Sequence, residues 1–465
     1  MSRLGGPFRL GAALVACVLM VPFSAPRAET LREAVERILE RHDRIQAAES
    51  DMSASDERVK ERFLTSYLPN VSVTANYGHN RRMNKASGAD TDMEPREVDV
   101  RMTQLLWDFG KSGANVDVAR KQREQMRSAV ETARQTLIMD AATAYYQLRK
   151  ANNIIKFAKQ SVGNIQRQGE VEDARVSLGR GYSTDVLQVK AQLSGAKARE
   201  VQGQGAVAQA EERVRTIYLR EAPEVLKLTP PDESFLSALP KNMGDAVVAG
   251  VKNNPQLNQL LKLTDMLEAQ KKSVARNNFM PTIQGVVERK FKDKVDGVDE
   301  FEMETLGKVE LTYTLGLALP GVHGIRAATQ DLEAAKNRYD DTRRTIEEQA
   351  RVAWHNFNTA KANAELLNNQ ANLAEKFLEL AREERKMDKR TLLDILSGET
   401  ALINARSDAA AADHDVIIAA FTLLQTMGAL EPGLLDSKHA KAKPAASGKT
   451  ELPRDKVPGN GPAVK

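Results

Sequence analysis

The sequence predicts a mainly α-helical chain that also contributes strands to a transmembrane β-barrel. Three observations carry this prediction: one unit occurs twice, long segments keep a heptad spacing of apolar residues, and four short segments alternate apolar and polar residues. Aromatic residues make up only 5% of the 465 residues. That composition suits long helices packed through small side chains rather than a globular core.

The duplication appears as pairs of matching segments at a nearly constant spacing. Leu31-Arg-Glu-Ala-Val35 returns as Met243-Gly-Asp-Ala-Val247, 212 residues later, and Ala144-Tyr-Tyr146 returns as Ala353-Trp-His355, 209 residues later. The spacing between matching segments changes by only three residues, and a single loop can absorb that difference. Each half is therefore predicted to contain a helix, two strands and a long helical hairpin.

The long helices are predicted from apolar residues spaced alternately by four and three, which is the coiled-coil period. The first seam comprises Leu137, Ala141, Ala144, Leu148, Ala151, Ile155, Ala158, Val162 and Ile165. The second comprises Ala353, Phe357, Ala360, Ala364, Leu367, Ala371, Ala374, Leu378 and Ala381, and the return helix carries Leu402, Ala405, Ala409, Ala412, Val416, Ala419 and Leu423. A helix from Ser112 to Leu178 would be on the order of 100 Å long.

Alternation predicts strands with one lipid-facing and one wet face. Strands are expected at Val71–Tyr77, at Val98–Thr103, from Ile283 onward and at Val309–Leu319. The polar set, predicted to line a pore, is Asp99, Arg101, Thr103, Glu310, Thr312 and Thr314. The apolar set, predicted to face lipid, is Val98, Val100, Leu311, Tyr313 and Leu315.

Four strands cannot close a barrel by themselves. Open strand edges in lipid would leave backbone groups without hydrogen-bond partners. Two copies would give a narrow eight-stranded barrel with a filled interior, whereas three copies would give twelve strands and room for a pore. The strand count therefore favours a homotrimer.

The two ends of the chain are predicted to lie outside the duplicated unit. Residues 1–28 read as an export signal with cleavage after Ala28, although Leu14-Val-Ala-Cys17 also resembles a lipidation site. The predicted divisions are a first repeat over 29–225, a linker over 226–240, a second repeat over 241–430 and a disordered tail over 431–465.

Several segments in this order resemble the TolC family of outer membrane factors, over roughly Glu29 to Leu430. They are Leu68-Pro-Asn70, Met280-Pro-Thr282, Thr103-Gln-Leu-Leu-Trp-Asp-Phe-Gly110, Arg175-Val-Ser-Leu-Gly179 and Asp185-Val-Leu187. Within that family, Tyr339–Arg344 and Lys389–Leu396 resemble the type I secretion branch, of the LapE or AggA kind.

The resemblance implies an architecture and partners. A homotrimer in the Gram-negative outer membrane would form a twelve-stranded barrel in lipid, continued by a periplasmic helical barrel. A periplasmic adaptor of the membrane fusion class and an inner-membrane ABC transporter would dock at its inner end. The expected task is an exit duct for type I secretion of a large protein such as an adhesin, and the alternative is small-molecule efflux.

The resemblance also assigns roles to two turns between long helices. Residues expected to bind the adaptor are Arg175, Gly179, Gly181, Lys386, Asp388 and Lys389, and residues expected to form a gate are Asp185, Arg385, Arg390 and Asp394. An Arg385–Asp185 pair is expected to replace a tyrosine contact of the family, and three copies of Asp394 would form an acidic ring. The alternative is that these are solvated charges near helix starts.

Other classes of function lack support in the sequence. The six histidines are scattered, and no phosphate loop, dinucleotide fingerprint or nucleophile motif is found, so we expect no enzyme activity and no cofactor or metal. Lys and Arg (67) nearly balance Asp and Glu (63) without a basic stripe, so no nucleic-acid partner is expected. A structural periplasmic coiled coil and a periplasmic adaptor remain as further alternatives.

Overall fold

The computed structural model describes residues 29–82, 91–295, 299–314, 320–387 and 389–435. The predicted export signal, Cys17, Leu315, Asp388 and the tail from 436 onward lie outside the described residues.

Both halves of the described chain run through the same succession of elements. The first half contains α1 (Leu31–Arg41), α2 (Asp43–Tyr67), β1 (Asn70–Tyr77), β2 (Asn80–Arg82), β3 (Thr91–Met93), β4 (Arg96–Trp107), α3 (Lys111–Ser177) and α4 (Ser183–Tyr218). A connection with α5 (Ala222–Leu226) and a 3-10 helix (Glu233–Ala238) follows. The second half contains α6 (Met243–Asn253), α7 (Pro255–Phe279), β5 (Thr282–Asp293), β6 (Phe301–Thr312), α8 (Pro320–Lys386), α9 (Leu392–Thr426) and a 3-10 helix (Pro432–Leu435).

The duplication is confirmed in the lengths of the helices. α1 and α6 have 11 residues each, α2 and α7 have 25 each, and α3 and α8 have 67 each. The helix starts use equivalent caps: Thr30 accepts a hydrogen bond from the Glu33 N–H, and Asn242 accepts one from the Asp245 N–H. These side chains satisfy amide groups that the first helical turn leaves free.

The heptad seams bring the long helices side by side. Most of the predicted seam residues are buried, including Leu148, Ile165, Leu378 and Leu423. Because α3 packs on both α4 and α9, and α8 packs on α9, the four helices form a row in the order α4, α3, α9, α8. In the part of the chain that is described, no helix is both long and apolar enough to cross a membrane.

The four predicted strands form one antiparallel sheet in the order β1, β4, β5, β6. Two details differ from the sequence prediction. β6 runs over Phe301–Thr312 rather than Val309–Leu319, so Tyr313 and Thr314 lie beyond its end, and β5 is a full 12 residues rather than a weak strand. β2 and β3 also pair as a short two-stranded ribbon that the alternation did not predict.

The short helices pack against the middle of the long helices and form the main apolar core. The Tyr145 hydroxyl donates to the carbonyl of Leu228 at 2.9 Å, and the Phe235 and Phe421 rings stack with centroids 4.8 Å apart. Burial raises the pKa of Tyr218 well above its ordinary value, so the hydroxyl stays protonated and donates to the Ala141 carbonyl. Since Leu228 and Phe235 belong to 226–240, the segment predicted as a linker packs as part of this core.

The folded part of the chain extends past the boundary expected at residue 430. Pro432–Leu435 forms a 3-10 helix that packs on α1, and Leu435 is completely buried. Residues 431–435 therefore do not belong to a disordered tail, because Leu435 completes the apolar core beside the first helix.

We expect Gly428→Ala to destabilise the fold strongly. Gly428 ends α9 with a φ of 66°, and an added Cβ would lie 2.2 Å from the carbonyl oxygen of Asn253. The left-handed backbone alone costs an alanine about 1–2 kcal/mol, to which the clash adds. Thermal unfolding followed by circular dichroism should show a lower midpoint.

The matched control is Gly163→Ala, in an exposed stretch of α3 where an added Cβ meets nothing within 4 Å. It should leave the midpoint unchanged or raise it, since alanine favours helix by roughly 1 kcal/mol. Equal midpoints for the two variants would show that the end of α9 adapts freely.

Candidate functional site in the sheet and the inner turns

The sheet segregates its side chains into one charged face and one apolar face. The pairing places Asp99 opposite Lys290, and Arg101 opposite Glu288. Directly opposed residues share a face of a sheet. Asp99, Arg101, Thr103, Glu310 and Thr312 therefore lie on one face, as their alternation predicts, whereas Thr314 lies beyond the end of β6.

The charged face is tied together by ion pairs across and along the strands. Arg101 Nη2 lies 3.3 Å from Glu310 Oε2 and joins β4 to β6 across the intervening strand. Further pairs are Lys292 with Glu304 at 2.7 Å, Lys290 with Glu288 at 3.3 Å, and Lys308 with Glu310 at 3.3 Å. Glu288 is buried on this face, with 7% of its surface exposed. This face offers a dense set of fixed charges of both signs.

The opposite face is mostly apolar and largely exposed, and Arg289 is a charged residue in the middle of it. Its apolar residues include Val71, Val73, Val98, Met102, Val287, Met303, Val309 and Leu311. Val309 is 71% exposed and Leu311 is 65% exposed, which is unfavourable in water. A bulge at Leu106 shifts the register so that Trp107 pairs with Ile283 and joins this face. The apolar face therefore ends in the exposed ring of Trp107, at the end of the sheet nearest the long helices.

The turn between α3 and α4 is built around a left-handed glycine. Gly179 has a φ of 70°, and the Arg180 N–H donates to the Arg175 carbonyl at 2.9 Å. Such a bond closes the end of a helix and favours glycine at this position. A Cβ on Gly181 would lie 3.1 Å from Val176 Cγ2, so a side chain there would crowd the helix end.

The turn between α8 and α9 closes in the same way. The Lys389 N–H donates to the Glu384 carbonyl at 2.9 Å, and these residues lie 209 positions after Arg180 and Arg175. The two predicted adaptor-binding turns are thus equivalent within the duplicated unit. Lys386 is exposed and pairs with Glu383 of its own helix at 2.7 Å.

The predicted gate residues lie just beyond these turns, near the starts of α4 and α9. Asp185 is in the first turn of α4, and its carboxylate makes no ion pair with any described residue. Asp394 forms a capping box, because its N–H donates to Thr391 Oγ1 at 3.3 Å and its carboxylate accepts from the Thr391 N–H. Arg390 pairs with Glu384 at 2.7 Å and lies 4.0 Å from Asp394.

The expected Arg385–Asp185 pair does not form within the chain. Arg385 Nη2 instead lies 3.4 Å from Glu172 Oε1 of α3, and its Nη1 donates to the Arg390 carbonyl at 3.0 Å. Glu172 is only 2% exposed, so its carboxylate depends on protein partners for its stabilisation. Arg385 therefore links α8 to α3 rather than to α4.

A second buried carboxylate forms a similar link higher up the helices. Glu399 of α9 pairs with Arg382 of α8 at 2.8 Å and also accepts a hydrogen bond from Asn164 of α3. Sequence reasoning missed both glutamates, although a signal existed. Glu172 follows Ile165 by seven residues and Glu399 precedes Leu402 by three, so both continue the apolar seams.

Among the described residues, no cluster of three histidine, cysteine, aspartate or glutamate side chains could hold a metal ion. The functional features are thus a two-faced sheet, a row of long helices and charged turns at the far end of that row.

This combination matches a known protein family. The model of the family described as "Outer membrane efflux protein" matches residues 34–218 and 250–429, one match for each half of the duplication. The chain therefore belongs to the outer membrane efflux protein family, as a TolC-type efflux channel of the outer membrane with a long periplasmic helical portion.

Individual relatives are distant but cover nearly the whole chain. The outer membrane protein TolC of Escherichia coli is 22% identical over 91% of this chain and 87% of its own length. The outer membrane efflux protein BepC of Brucella suis is 23% identical over 94% of this chain and 93% of its own length.

Solved structures share the fold at lower identity. The CmeC outer membrane channel of Campylobacter jejuni has a TM-score of 0.74 and 13% identity, and the match covers 88% of this chain and 87% of CmeC. The outer membrane protein VceC of Vibrio cholerae has a TM-score of 0.71 and 14% identity, with coverages of 86% and 96%.

The two faces of the sheet should differ in their access to water. Single cysteines replacing Thr103 or Glu310 should react quickly with a membrane-impermeant maleimide when the protein sits in lipid vesicles. Cysteines replacing Val98 or Leu311 should react slowly, because hydrocarbon excludes the charged reagent. Gel-shift labelling measures both rates. Faster labelling at Val98 and Leu311 would invert the assignment of the faces.

Proposed function

We propose that three copies of this chain form a continuous exit duct, with the charged sheet face lining a membrane pore and the long helices forming a periplasmic tunnel. The observation that carries the proposal is the pair of open edges in the sheet. Among the described residues, β1 and β6 each pair with one strand, so each leaves a row of backbone groups free. In lipid, pairing β1 of one copy with β6 of the next would satisfy them.

The row of helices supports the same closure. On α8, a heptad stripe of exposed apolar side chains lies away from the seam with α9: it comprises Val352, Leu366, Leu373 and Leu380. On α4, at the other end of the row, Leu187 and Val201 are exposed on the side away from α3. A helix in a ring needs a seam on each side. The stripe on α8 would supply the second seam by packing on α4 of a neighbouring copy.

The inner end of the tunnel would be held closed by charged groups. Asp185, Arg385, Arg390 and Asp394 are proposed as gate residues, with Arg385 acting through Glu172. Within a trimer, Asp394 would occur three times around the axis, where clustered carboxylates attract cations. Its capping role and a role in a ring are compatible, because its side chain is 40% exposed.

The duct needs partners for energy and for contact with the inner membrane. A periplasmic adaptor and an inner-membrane ABC transporter are proposed as these partners. Type I secretion of a large protein, such as an adhesin, is the proposed task, supported by the resemblance of Tyr339–Arg344 and Lys389–Leu396 to that branch. Small-molecule efflux is the second candidate, supported by the similarity to the outer membrane efflux protein BepC.

Deletion of the gene separates the two tasks. If the duct serves type I secretion, deletion of the gene removes large proteins from the cell surface and the medium, as measured by mass spectrometry, and leaves drug sensitivity unchanged. If the duct serves small-molecule efflux, deletion raises the sensitivity of the cells to dyes, detergents and antibiotics. If neither phenotype appears in a strain that produces the protein, the exit-duct proposal fails.

Disrupting the apolar stripe should prevent assembly. We expect Leu373→Glu with Leu380→Glu to abolish the trimer, because two buried charges per interface would cost far more than the apolar contact gains. Chemical crosslinking in intact cells, read on a gel, measures the species present. Lys361→Glu is the control, since Lys361 is exposed on the same helix outside the stripe. A trimer that persists in the double variant would exclude this seam.

Removing Arg385 should loosen the inner end. We expect Arg385→Ala to raise single-channel conductance several-fold in planar bilayers, because Glu172 loses the arginine that joins α3 to α8. Arg351→Ala is the matched control, since the partner of Arg351 among the described residues is Glu347 of its own helix, at 3.4 Å. Conductance equal in both variants would remove Arg385 from the gate.

A further inference from the structure

The apolar face of the sheet carries a few charged residues, and most of them are arginines. At the strand positions that share this face, the charged residues are Arg96 of β4 together with Arg289 and Asp293 of β5. Both arginines are exposed, whereas Asp293 is half-buried. A cation in contact with hydrocarbon is unfavourable, so neither arginine gains from a purely apolar surrounding.

These charges lie toward the end of the sheet that is farthest from the long helices, here called the outer end. Its last rung consists of Tyr77, Arg96, Asp293 and Phe301, which pair in that order across the four strands. Arg289 lies four residues from Asp293, which is roughly 13 Å along the strand. In the proposed duct, whose helices are periplasmic, the outer end lies in the outer leaflet of the outer membrane.

The side chain of Arg289 extends toward the outer end. Its guanidinium carbon lies 5.4 Å from the centroid of the Phe291 ring, and Phe291 is the next residue outward on this face. Its Nη2 lies 3.8 Å from Met303 Sδ, and Met303 is the residue opposite Phe291. The guanidinium group is therefore displaced outward by about one rung, or roughly 7 Å. Long basic side chains adopt such a path when their charged group reaches for a membrane interface.

Arg96 is held in an equivalent way on the neighbouring strand. Its guanidinium carbon lies 5.9 Å from the centroid of the Tyr77 ring, and the Tyr77 hydroxyl donates to Glu94 at 3.0 Å. The attraction between a cation and the face of an aromatic ring holds each guanidinium group from one side. The N–H groups on its other edges stay available to an anion.

The cations on the charged face of the sheet differ from these two arginines. Each of them lies within 3.3 Å of a glutamate oxygen: Arg101, Lys290, Lys292 and Lys308. Within the described part of the chain, neither Arg96 nor Arg289 makes such an ion pair. The chain therefore balances the cations of the charged face internally and leaves the two arginines of the apolar face to an anion from outside.

We propose that Arg96 and Arg289 bind the phosphate groups of a phosphorylated glycolipid in the outer leaflet. The inference rests on the proposed exit duct and names a lipid that its barrel would hold. A planar guanidinium group matches a phosphate with two parallel hydrogen bonds, and such charge-assisted bonds are strong. The acyl chains would lie on the apolar residues nearer the helices, such as Val98 and Val287, which are exposed. Three copies of the chain would provide three such sites.

The surroundings of the two arginines favour a lipid over a soluble anion. Phe291, Met303 and Phe301 give the site an apolar wall, which suits acyl chains and offers nothing to an inorganic phosphate ion. Two cations and one anion give this end of the face a net charge of only +1. Long-range attraction of soluble anions is therefore weak, and close contact has to supply the binding.

The position of the arginines also excludes a neighbouring copy as the occupant. Both lie on β4 and β5, which are the two inner strands of the sheet. Copies that close a barrel would meet at β1 and β6, so their contact would leave Arg96 and Arg289 facing lipid.

The test uses the full-length protein purified in a neutral detergent. It is titrated with lipid A that carries two phosphate groups, and separately with the same lipid after both phosphates have been removed. Native mass spectrometry measures the fraction of protein that carries each lipid. We expect the parent protein to prefer the phosphorylated lipid by at least about tenfold, which corresponds to about 1.4 kcal/mol. Arg96→Gln with Arg289→Gln should remove that preference, and each single change should remove part of it.

Lys290→Gln with Lys292→Gln is the matched control. It removes two cations from the same strand on the opposite face, so it should keep the preference. Arg96→Lys with Arg289→Lys keeps both charges and should keep most of it. Inorganic phosphate in large excess should not displace the lipid. The proposal is overturned by equal binding of the two lipids to the parent protein, by a preference that survives both glutamine changes, by an equal loss in the lysine control, or by displacement with inorganic phosphate.

Single-channel recording of the same proteins separates this proposal from the exit duct. The variant with both arginines replaced by glutamine should conduct like the parent protein, which shows that it folds and assembles while the lipid preference is lost. A parent protein that conducts normally but binds both lipids equally would refute the lipid site alone. A parent protein that forms no channel would instead refute the duct on which the proposal rests.

Discussion

The structure depends on the constraint that backbone hydrogen-bonding groups must be satisfied wherever water is absent. One chain supplies four strands and leaves an unpaired edge at each end of the sheet. Most of the large apolar side chains on one face of that sheet are exposed, so that face suits lipid better than water. The same incompleteness recurs in the helices, because α4 and α8 end the row with apolar side chains that contact no described neighbour on that side. The open edges of the sheet and the unpartnered faces of α4 and α8 therefore both require contacts with neighbouring copies.

The inner end uses a different kind of interaction. Glu172 and Glu399 lie buried at seam positions where apolar residues would pack well, and each binds an arginine of α8. A buried ion pair adds little net stability compared with apolar packing, because both charges lose water. It does fix one arrangement of helices, and it makes departure from that arrangement costly. In the proposed exit duct, such pairs would hold the inner end closed until a partner moves the helices.

Sequence periodicity predicted most of the fold, since heptads and alternation directly record which faces are buried. The repeat, the ends of α3 and the faces around Asp99 and Arg101 followed from spacing alone. The partner of Arg385 did not, because a long side chain near a turn reaches several helices and spacing cannot choose among them. The bulge at Leu106 and the early start of β6 at Phe301 were also missed, because each depends on pairing with β5 rather than on local pattern.

The number of copies in the assembly tests this account most directly. Native mass spectrometry of the detergent-extracted protein measures it without assuming any contact. Closure through three copies predicts a single dominant species with three times the mass of the mature chain, which persists at activation energies that strip the detergent. A monomer or a dimer as the dominant species would contradict closure of the sheet and of the helical row through three copies.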